Sequence, residues 1–371
     1  MDKNYMLLAL RLAARGIGTV EPNPAVGSVI VKGDKIIGKG WHKKFGGTHA
    51  EINALEDCRN KGNNPEGTTM YVTLEPCCHQ GKTGPCTDAI IAARPAKVIV
   101  ATIDPSAHAN GKGIEKLKNA GIDVQVGVCE KQAKLLNAPF MKFAATGRCW
   151  VILKWAQSID GKLAYADAVK DGEWISCEQS RKDAHRLRRR VQGILVGIET
   201  VLADNPLLTP RPSRGRQPTR IVLDSNLRIS LNSRLLVTAK KSPVIVVTSK
   251  GAVEANLLLA EKITQKGAKI LTVPVAEGRC DIGFLLNELA KDGISQLLVE
   301  GGAKVLSSFL KERLADEICV YIAPKILGAR GSTNISEALA ELTKALTLHY
   351  VDIKRLGDDV RITGFLQISV C

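Results

Sequence analysis

Two neighbouring stretches decide the fold of this chain: His49-Ala50-Glu51, and the run from Leu74 to Cys86, LEPCCHQGKTGPC. One histidine and two cysteines can bind a zinc ion through three protein ligands and leave its fourth position open for water. Zinc lowers the pKa of such a water to about 7, so hydroxide becomes available at neutral pH. Glu51 is placed to take the proton of that water. The sequence therefore predicts a hydrolytic zinc site with the ligands His49, Cys77 and Cys86.

The spacing H-x-E followed by Pro-Cys is typical of zinc-dependent nucleobase deaminases. Pro76 marks Cys77, and not its neighbour Cys78, as the expected ligand, because adjacent side chains cannot easily point at one ion. The alternative is a structural zinc knot or a pair of buried cysteines. A structural site would use a fourth protein ligand and would have no need of Glu51.

Length and composition favour a soluble enzyme with two domains. A chain of 371 residues exceeds what one hydrophobic core normally holds, and no apolar run approaches the roughly 20 residues of a membrane span. The net charge of +15 permits nucleic-acid binding but suits small phosphorylated substrates equally well. Aromatic residues make up only 4%, so surfaces on which single-stranded bases could stack are scarce and we expect no nucleic acid. Without an apolar run of spanning length we also expect no membrane partner. Ten cysteines without a disulfide framework favour the reducing cytoplasm.

The first half alternates predicted strands and helices after an amphipathic opening helix, Met1 to Ala14, that lacks the pattern of a signal peptide. Such alternation predicts a layered α/β domain. Small and basic residues from Pro139 to Cys149 are expected to end it. We place the boundary near Gly147, which gives domains 1–147 and 148–371.

The second half carries a candidate dinucleotide site at Val299-Glu300-Gly301-Gly302. This segment ends an apolar strand and opens a helix, and glycines there allow backbone N–H groups to approach a pyrophosphate. Arg188 and Arg211 are fork-shaped donors suited to a phosphate, although either could be a plain surface charge. A Gly-Gly pair after a strand is by itself a weak signal.

The motifs together resemble the bifunctional deaminase/reductase family of riboflavin biosynthesis. The resemblance rests on the eight residues between Cys77 and Cys86, on Pro22-Asn23-Pro24, and on Ser158-Ile159-Asp160-Gly161-Lys162. It covers nearly the whole chain in the family's domain order. It implies an N-terminal cytidine-deaminase-like layered domain followed by a dihydrofolate-reductase-like domain. Three positions depart from the family pattern: Cys78, Gly84 and Gly172.

The resemblance also implies roles for individual residues. Substrate-binding residues would be Asn23, His42, His79, Lys154, Arg188, Leu208, Arg211 and Glu300. Cofactor-binding residues would be Ala156, Trp174, Thr200, Asp204, Ser225, Gly301 and Gly302. For the phosphate that distinguishes NADPH from NADH, we expect Ser225 and Lys250 to face the cofactor and Asp224 to turn away.

The function implied is deamination of a phosphorylated diaminopyrimidinone with one zinc ion, Glu51 moving the protons, followed by NADPH-dependent reduction of the ribosyl unit. We also expect a homo-oligomer. One alternative is a nucleic-acid deaminase of the tRNA type with an appended domain, which would bind less tightly as salt increases. Another is a non-catalytic binding protein that zinc stabilises, which would lose its fold with the metal.

Overall fold

The computed structural model describes residues 1–80, 84–166, 174–212, 216–276, 278–340 and 342–366. The chain forms two compact units that divide between Gly147 and Arg148. In the described ranges, no helix is both long enough and apolar enough to cross a bilayer. Gly172, one of the departures from the family pattern, lies outside the described residues.

The first unit alternates helices and strands. Its elements are α1 Asp2–Ala13, β1 Gly27–Lys32, β2 Lys35–Trp41, α2 Ala50–Asn60, β3 Thr69–Val72, α3 Cys86–Ala93, β4 Lys97–Val100, α4 Lys112–Asn119, β5 Asp123–Val126, α5 Glu130–Leu136 and α6 Ala138–Thr146. A 3-10 helix, Ala14–Gly16, follows α1. Helix α6 continues to Thr146, so the segment from Pro139 that is expected to end the first domain is mostly helical.

The five strands of this unit form one sheet in the order β2-β1-β3-β4-β5. β1 pairs antiparallel with β2 and β3, and β3, β4 and β5 are parallel. Alternate residues of β1 enter two separate cores: Ile30 packs into one, and Val29 and Val31 pack into the other. Since successive side chains of a strand point to opposite faces, the sheet is covered on both sides, as a layered α/β domain requires.

Two glycines of β2 bring helix α2 against the sheet backbone. A Cβ atom at Gly40 would lie 2.2 Å from the carbonyl oxygen of Ala50 and 2.3 Å from the amide nitrogen of Ala54. A Cβ atom at Gly38 would lie 2.5 Å from the carbonyl oxygen of Ala54. Only glycine allows so close an approach, and the start of α2 is thereby fixed on the sheet.

The second unit is larger and again α/β. Its elements are β6 Trp150–Ser158, β7 Lys162–Tyr165, α7 Glu178–Arg190, β8 Gly193–Gly197, α8 Ile198–Asp204, β9 Thr219–Leu223, α9 Arg234–Val237, β10 Val244–Thr248, α10 Lys250–Ala255, α11 Leu257–Gln265, β11 Lys269–Thr272, β12 Val275–Ala276, β13 Arg279–Cys280, α12 Ile282–Lys291, β14 Gln296–Val299, α13 Ala303–Lys311, β15 Glu317–Ala323, β16 Gly331–Asn334, α14 Ile335–Ala338, β17 His349–Leu356 and β18 Asp359–Phe365, with a 3-10 helix at Gly328–Arg330.

Its main sheet has nine strands in the order β11-β10-β9-β8-β14-β6-β15-β18-β17. Along this order, the first seven strands, which begin with β11 and end with β15, run parallel to one another. β18 pairs antiparallel with β15, and β17 pairs antiparallel with β18. β14 lies between β8 and β6, so the carboxyl ends of these three strands meet at one edge. Ligands of open α/β sheets bind at that edge. Glu300 follows β14 there, and Gly197 ends β8.

Candidate active sites

The predicted zinc ligands converge in the first unit. His49 immediately precedes α2, Cys77 lies in the loop after β3, and Cys86 is the first residue of α3. His49 Nδ1 is 3.2 Å from Cys86 Sγ and 3.4 Å from Cys77 Sγ. The Cys86 backbone N–H also donates to Cys77 Sγ at 3.3 Å. One ligand atom from each residue lies within 4.8 Å of the others.

This donor set fits zinc. One imidazole nitrogen and two sulfurs are ligands that zinc accepts, and three protein donors leave a position for water. Across the part of the chain that the structure describes, it is the single group of three or more such residues. Cys78 is not a member, and its Sγ is 3.8 Å from the carbonyl oxygen of His108. The structure therefore brings Cys77, and not its neighbour, to the cluster.

The charges of the three donors are coupled. The hydrogen bond from Cys86, together with His49, lowers the pKa of the Cys77 thiol to about 4. The same hydrogen bond with Cys77, together with burial, raises the pKa of Cys86. The hydrogen bond with Cys77 raises the pKa of His49. Hydrogen bonding within the cluster thus favours the thiolate form of Cys77, the form of cysteine that binds metal.

Glu51 lies in the first turn of α2 and is buried, with 3% of its surface exposed. Burial, and then the charge of Cys77, raises the pKa of its carboxyl group to about 7. Glu51 is not a member of the metal-binding group. A carboxyl group beside a metal site that does not ligate the metal has the arrangement of a proton-transfer group.

The other residues expected in the deaminase site surround this cluster unequally. The buried ring of His42 is centred 5.2 Å from that of His49, and its Nε2 is 2.7 Å from the Lys44 carbonyl oxygen.

Asn23 lies half-buried in a turn closed by a hydrogen bond from its N–H to the Val20 carbonyl oxygen. His79 is exposed, and its ring meets that of His108 edge-on at 5.3 Å.

The reductase residues Arg188 and Glu300 form an ion pair that is largely shielded from solvent, with side chains 18% and 6% exposed. Arg188 Nε donates to Glu300 Oε1 at 2.8 Å, and its second terminal nitrogen donates to Oε2 at 2.6 Å. The remaining nitrogen donates to the Thr209 carbonyl at 3.3 Å. Burial would raise the pKa of Glu300, but the charges of Arg188 and Lys154 outweigh it and lower the pKa to about 2. Glu300 is therefore ionised throughout the neutral range.

His185 joins this cluster, and sequence reasoning missed it. Burial, and then the charges of Arg188 and Arg211, lowers the pKa of His185 to about 4, so the ring is neutral. Its position three residues before Arg188 on α7 places both on one helix face, which is the signal that could have found it. Lys154 Nζ lies 5.5 Å from the centre of the Tyr321 ring. Leu208 is buried and Arg211 is exposed.

The segment expected to bind the pyrophosphate packs closely against β8. A Cβ atom at Gly301 would lie 2.6 Å from Val196 Cα and 2.7 Å from the Gly197 nitrogen. The backbone that follows β14 is therefore in direct contact with the backbone at the end of β8. The N–H of Gly302 donates to Thr200 Oγ1 at 3.1 Å, and α13 begins at the next residue. A helix start preceded by two glycines fits the pyrophosphate of a dinucleotide.

The remaining cofactor residues are more dispersed. Trp174 is 59% exposed, its ring lies 5.2 Å from the Arg181 guanidinium, and its carbonyl accepts a hydrogen bond from Lys325 Nζ at 2.5 Å. Ala156 is half-buried in β6, and Asp204 is exposed at the end of α8.

Three residues were considered for the NADPH phosphate, and each has a different environment. The Ser225 hydroxyl accepts the Cys280 N–H at 3.3 Å, and it therefore already has a partner within the protein. Asp224 is buried, and its Oδ2 accepts the Ile229 N–H at 2.8 Å. Lys250 is exposed and lies 3.6 Å from Glu254.

Fold and sites together define a class, that of a zinc-dependent deaminase joined in one chain to a nucleotide-dependent reductase. Residues 1–102 match the cytidine and deoxycytidylate deaminase zinc-binding region, and residues 149–362 match the RibD C-terminal domain. The chain belongs to the RibD family, the bifunctional deaminase/reductases of riboflavin biosynthesis.

Relatives match over the whole chain. Riboflavin biosynthesis protein RibD of Aquifex aeolicus is 44% identical over 364 residues, covering 98% of both chains. That of Escherichia coli is 38% identical and covers 97% of this chain and 98% of the relative. A solved structure from Thermotoga maritima, described as a diaminohydroxyphosphoribosylaminopyrimidine deaminase/5-amino-6-(5-phosphoribosylamino)uracil reductase, is 35% identical with a TM-score of 0.85, covering 99% of both chains.

Membership confirms the predicted fold class and bifunctional activity. The chain is both a hydrolase and an oxidoreductase, and its cofactors are zinc and NADPH. The alternative of a nucleic-acid deaminase with an appended domain is not favoured, because the relatives share both domains.

Proposed function

We propose that the first unit, ending at residue 147, hydrolyses the 2-amino group of 2,5-diamino-6-(5-phosphoribosylamino)pyrimidin-4(3H)-one. The observation that carries this assignment is the convergence of His49, Cys77 and Cys86 beside the buried carboxyl group of Glu51. Zinc held by these three residues would supply a water activated at neutral pH. Glu51 would accept a proton from the water and return it to the departing amino group, so that ammonia leaves and a ring carbonyl remains.

Substrate orientation in this unit falls to Asn23, His42 and His79. The ring of His42 is neutral at pH 7, since burial and then the charge of His49 lower its pKa. Asn137 supports the turn that carries Asn23, because its side chain accepts the N–H of Ala25 at 2.8 Å and donates to the Ala25 carbonyl at 2.9 Å. The side-chain amide of Asn23, carried by this supported turn, offers both a donor and an acceptor for the edge of a pyrimidine.

The second unit, from residue 148, would reduce the ribosyl group of 5-amino-6-(5-phosphoribosylamino)uracil to ribityl. Bound NADPH would supply the hydride. We assign Arg188, Arg211 and Leu208 to the phosphorylated end of the substrate, and Lys154 and Glu300 to the sugar. The cluster of cations around neutral His185 favours a phosphate dianion over a neutral ligand.

The cofactor would lie along the carboxyl edge of the sheet. Gly301, Gly302 and Thr200 are suited to the pyrophosphate, because a pair of glycines precedes the start of α13 and the Gly302 N–H and Thr200 hydroxyl meet there. The other residues we assign to NADPH are Ala156, Trp174, Asp204 and Ser225. We further propose a cytoplasmic homo-oligomer that takes a small phosphorylated pyrimidine and no nucleic acid.

A coupled assay tests the proposal. Ammonia release and NADPH oxidation would be followed with the diamino substrate and, separately, with the deaminated substrate. Removing zinc with a chelator should stop both signals from the diamino substrate and leave NADPH oxidation with the deaminated one intact. Ammonia release that survives verified removal of zinc would contradict the assignment of the first unit.

A further inference from the structure

Glu75 carries a buried carboxylate just before Pro76 and Cys77, and none of the roles above uses it. Glu75 is buried, with 4% of its surface exposed. One carboxylate oxygen, Oε2, accepts the N–H of Asp104 at 3.2 Å and that of Gly111 at 2.9 Å. The other, Oε1, accepts the N–H of Gly113 at 2.8 Å. All three donors are backbone amides of the segment 104–113, which we name the amide loop.

The amide loop also contacts residues on both sides of Cys77. A Cβ atom on Gly113 would lie 2.1 Å from the carbonyl oxygen of Pro76, so the loop passes directly under that peptide. Beyond Cys77, the Cys78 thiol lies 3.8 Å from the carbonyl oxygen of His108. The rings of His79 and His108 then meet edge-on at 5.3 Å. The loop therefore contacts the metal-ligand segment at Pro76, before Cys77, and at Cys78 and His79, after it.

These contacts place His108 at the rim of the deaminase site, although it is distant in sequence from the metal ligands. His108 is exposed and contacts His79, one of the residues assigned to the substrate. The loop's position depends on the Glu75 carboxylate, since this side chain accepts three of its backbone N–H groups, that of Gly113 buried and those of Asp104 and Gly111 partly buried.

We infer that Glu75 is a positioning residue of the deaminase site, which fixes the amide loop, and with it His108, against the Cys77 segment where the pyrimidine binds. The inference rests on the proposed function of the first unit. Glu75 itself acts through main-chain amides and touches neither the metal ligands' side chains nor, on this assignment, the substrate.

The change Glu75→Gln distinguishes a role that depends on the hydrogen bonds of the carboxylate from one that depends only on the volume of the side chain. A carboxylate only accepts hydrogen bonds, whereas a carboxamide presents one oxygen and one donor group of nearly the same size. Whichever way the amide is turned, at least one backbone N–H of the loop faces another donor. The shape of the site is preserved while the anchor of the loop is weakened.

The matched control is Glu115→Gln, which makes the same change on an exposed residue of α4, two residues beyond the loop. In Glu75→Gln we expect kcat/KM for ammonia release to fall about 10- to 100-fold, mainly through KM. Zinc content, the charge-transfer spectrum of the Co²⁺-substituted protein and NADPH oxidation with the deaminated substrate should match the control. Hydrogen exchange of the 104–113 amides should be faster than in the control.

Glu75→Asp keeps the charge but shortens the reach, and should lie between the wild type and Glu75→Gln in both KM and exchange. This series also decides the matter if Glu75→Gln fails to fold. Unchanged exchange at 104–113 would overturn the inference. So would a Co²⁺ spectrum that differs from that of the control, because it would show an effect on the metal ligands themselves. If the wild type and Glu115→Gln release no ammonia, the proposed function fails, and the exchange data still decide the role of Glu75.

Discussion

Removing the charge of Glu300 should destabilise the second unit selectively. Glu300→Gln leaves the Arg188 guanidinium buried and without a carboxylate. The side chains of the pair are only 18% and 6% exposed, and two hydrogen bonds of 2.8 and 2.6 Å join them. Water can therefore do little to replace the lost partner.

The size of the effect follows from two independent arguments. Breaking a buried ion pair by removing one partner typically costs about 3–5 kcal/mol. The pKa of Glu300 falls from its ordinary value of 4.5 to about 2. At about 1.4 kcal/mol per pKa unit, that shift corresponds to roughly 3 kcal/mol of stability at neutral pH. Both arguments lead to a loss of about 3 kcal/mol.

Urea unfolding followed by tryptophan fluorescence measures this loss, because Trp150, Trp155 and Trp174 lie in the second unit and only Trp41 in the first. The matched control is Glu199→Gln, which removes an ion pair with Arg228 whose side chains are 66% and 44% exposed. Exposed pairs contribute little, so the control should unfold close to the wild type. A Glu300→Gln protein as stable as this control would refute the reasoning.

The pH dependence supplies a second check, with a definite sign. A carboxyl group whose pKa is lowered by folding stabilises the protein above its unfolded pKa, and the contribution is lost as pH falls towards the folded value. The difference between wild type and Glu300→Gln should therefore be constant above the ordinary pKa of 4.5 and shrink below it, towards about 2. A difference that grows on acidification would contradict the assigned ionisation.

Three further predictions concern the active sites. Cys86→Ala should abolish ammonia release while NADPH oxidation with the deaminated substrate continues, and loss of both activities in folded protein would argue against independent sites. Glu51→Gln should keep zinc, as metal analysis would show, and slow deamination by about 10²- to 10⁴-fold; a zinc-free variant would make Glu51 a ligand. The double variant Ser225→Ala, Lys250→Ala should lose part of the preference for NADPH over NADH in steady-state rates, and an unchanged preference would remove both residues from the site.

The zinc cluster was accessible from sequence because its information is local. His49 and Glu51 are two residues apart, and Pro76 distinguishes Cys77 from Cys78. The alternation of strands and helices likewise predicted a layered α/β fold. Helix ends were less predictable: the small and basic residues from Pro139 indicate the end of the domain but not its structure, and α6 occupies most of that segment, since small residues do not by themselves prevent a helix.

The reductase site shows what sequence cannot supply. Arg188 and Glu300 were each expected to meet the substrate, but 112 positions separate them, and only the folded sheet shows that they bind one another. Ser225 was expected to face a phosphate, yet its hydroxyl accepts the amide of Cys280, 55 residues away. The three backbone N–H groups that donate hydrogen bonds to Glu75 also belong to residues 29 to 38 positions later in the chain. Such pairings depend on tertiary packing, which no local pattern encodes.

The close contact of β2 with α2 bears on how mutational data for this chain would be interpreted. In a saturation-mutagenesis library selected for growth without riboflavin, variants at Gly38 and Gly40 should be depleted about as strongly as those at His49. Any side chain there would have to displace the backbone of the helix that begins at Ala50. A fitness map alone would thus assign catalytic importance to two residues that carry no reactive group.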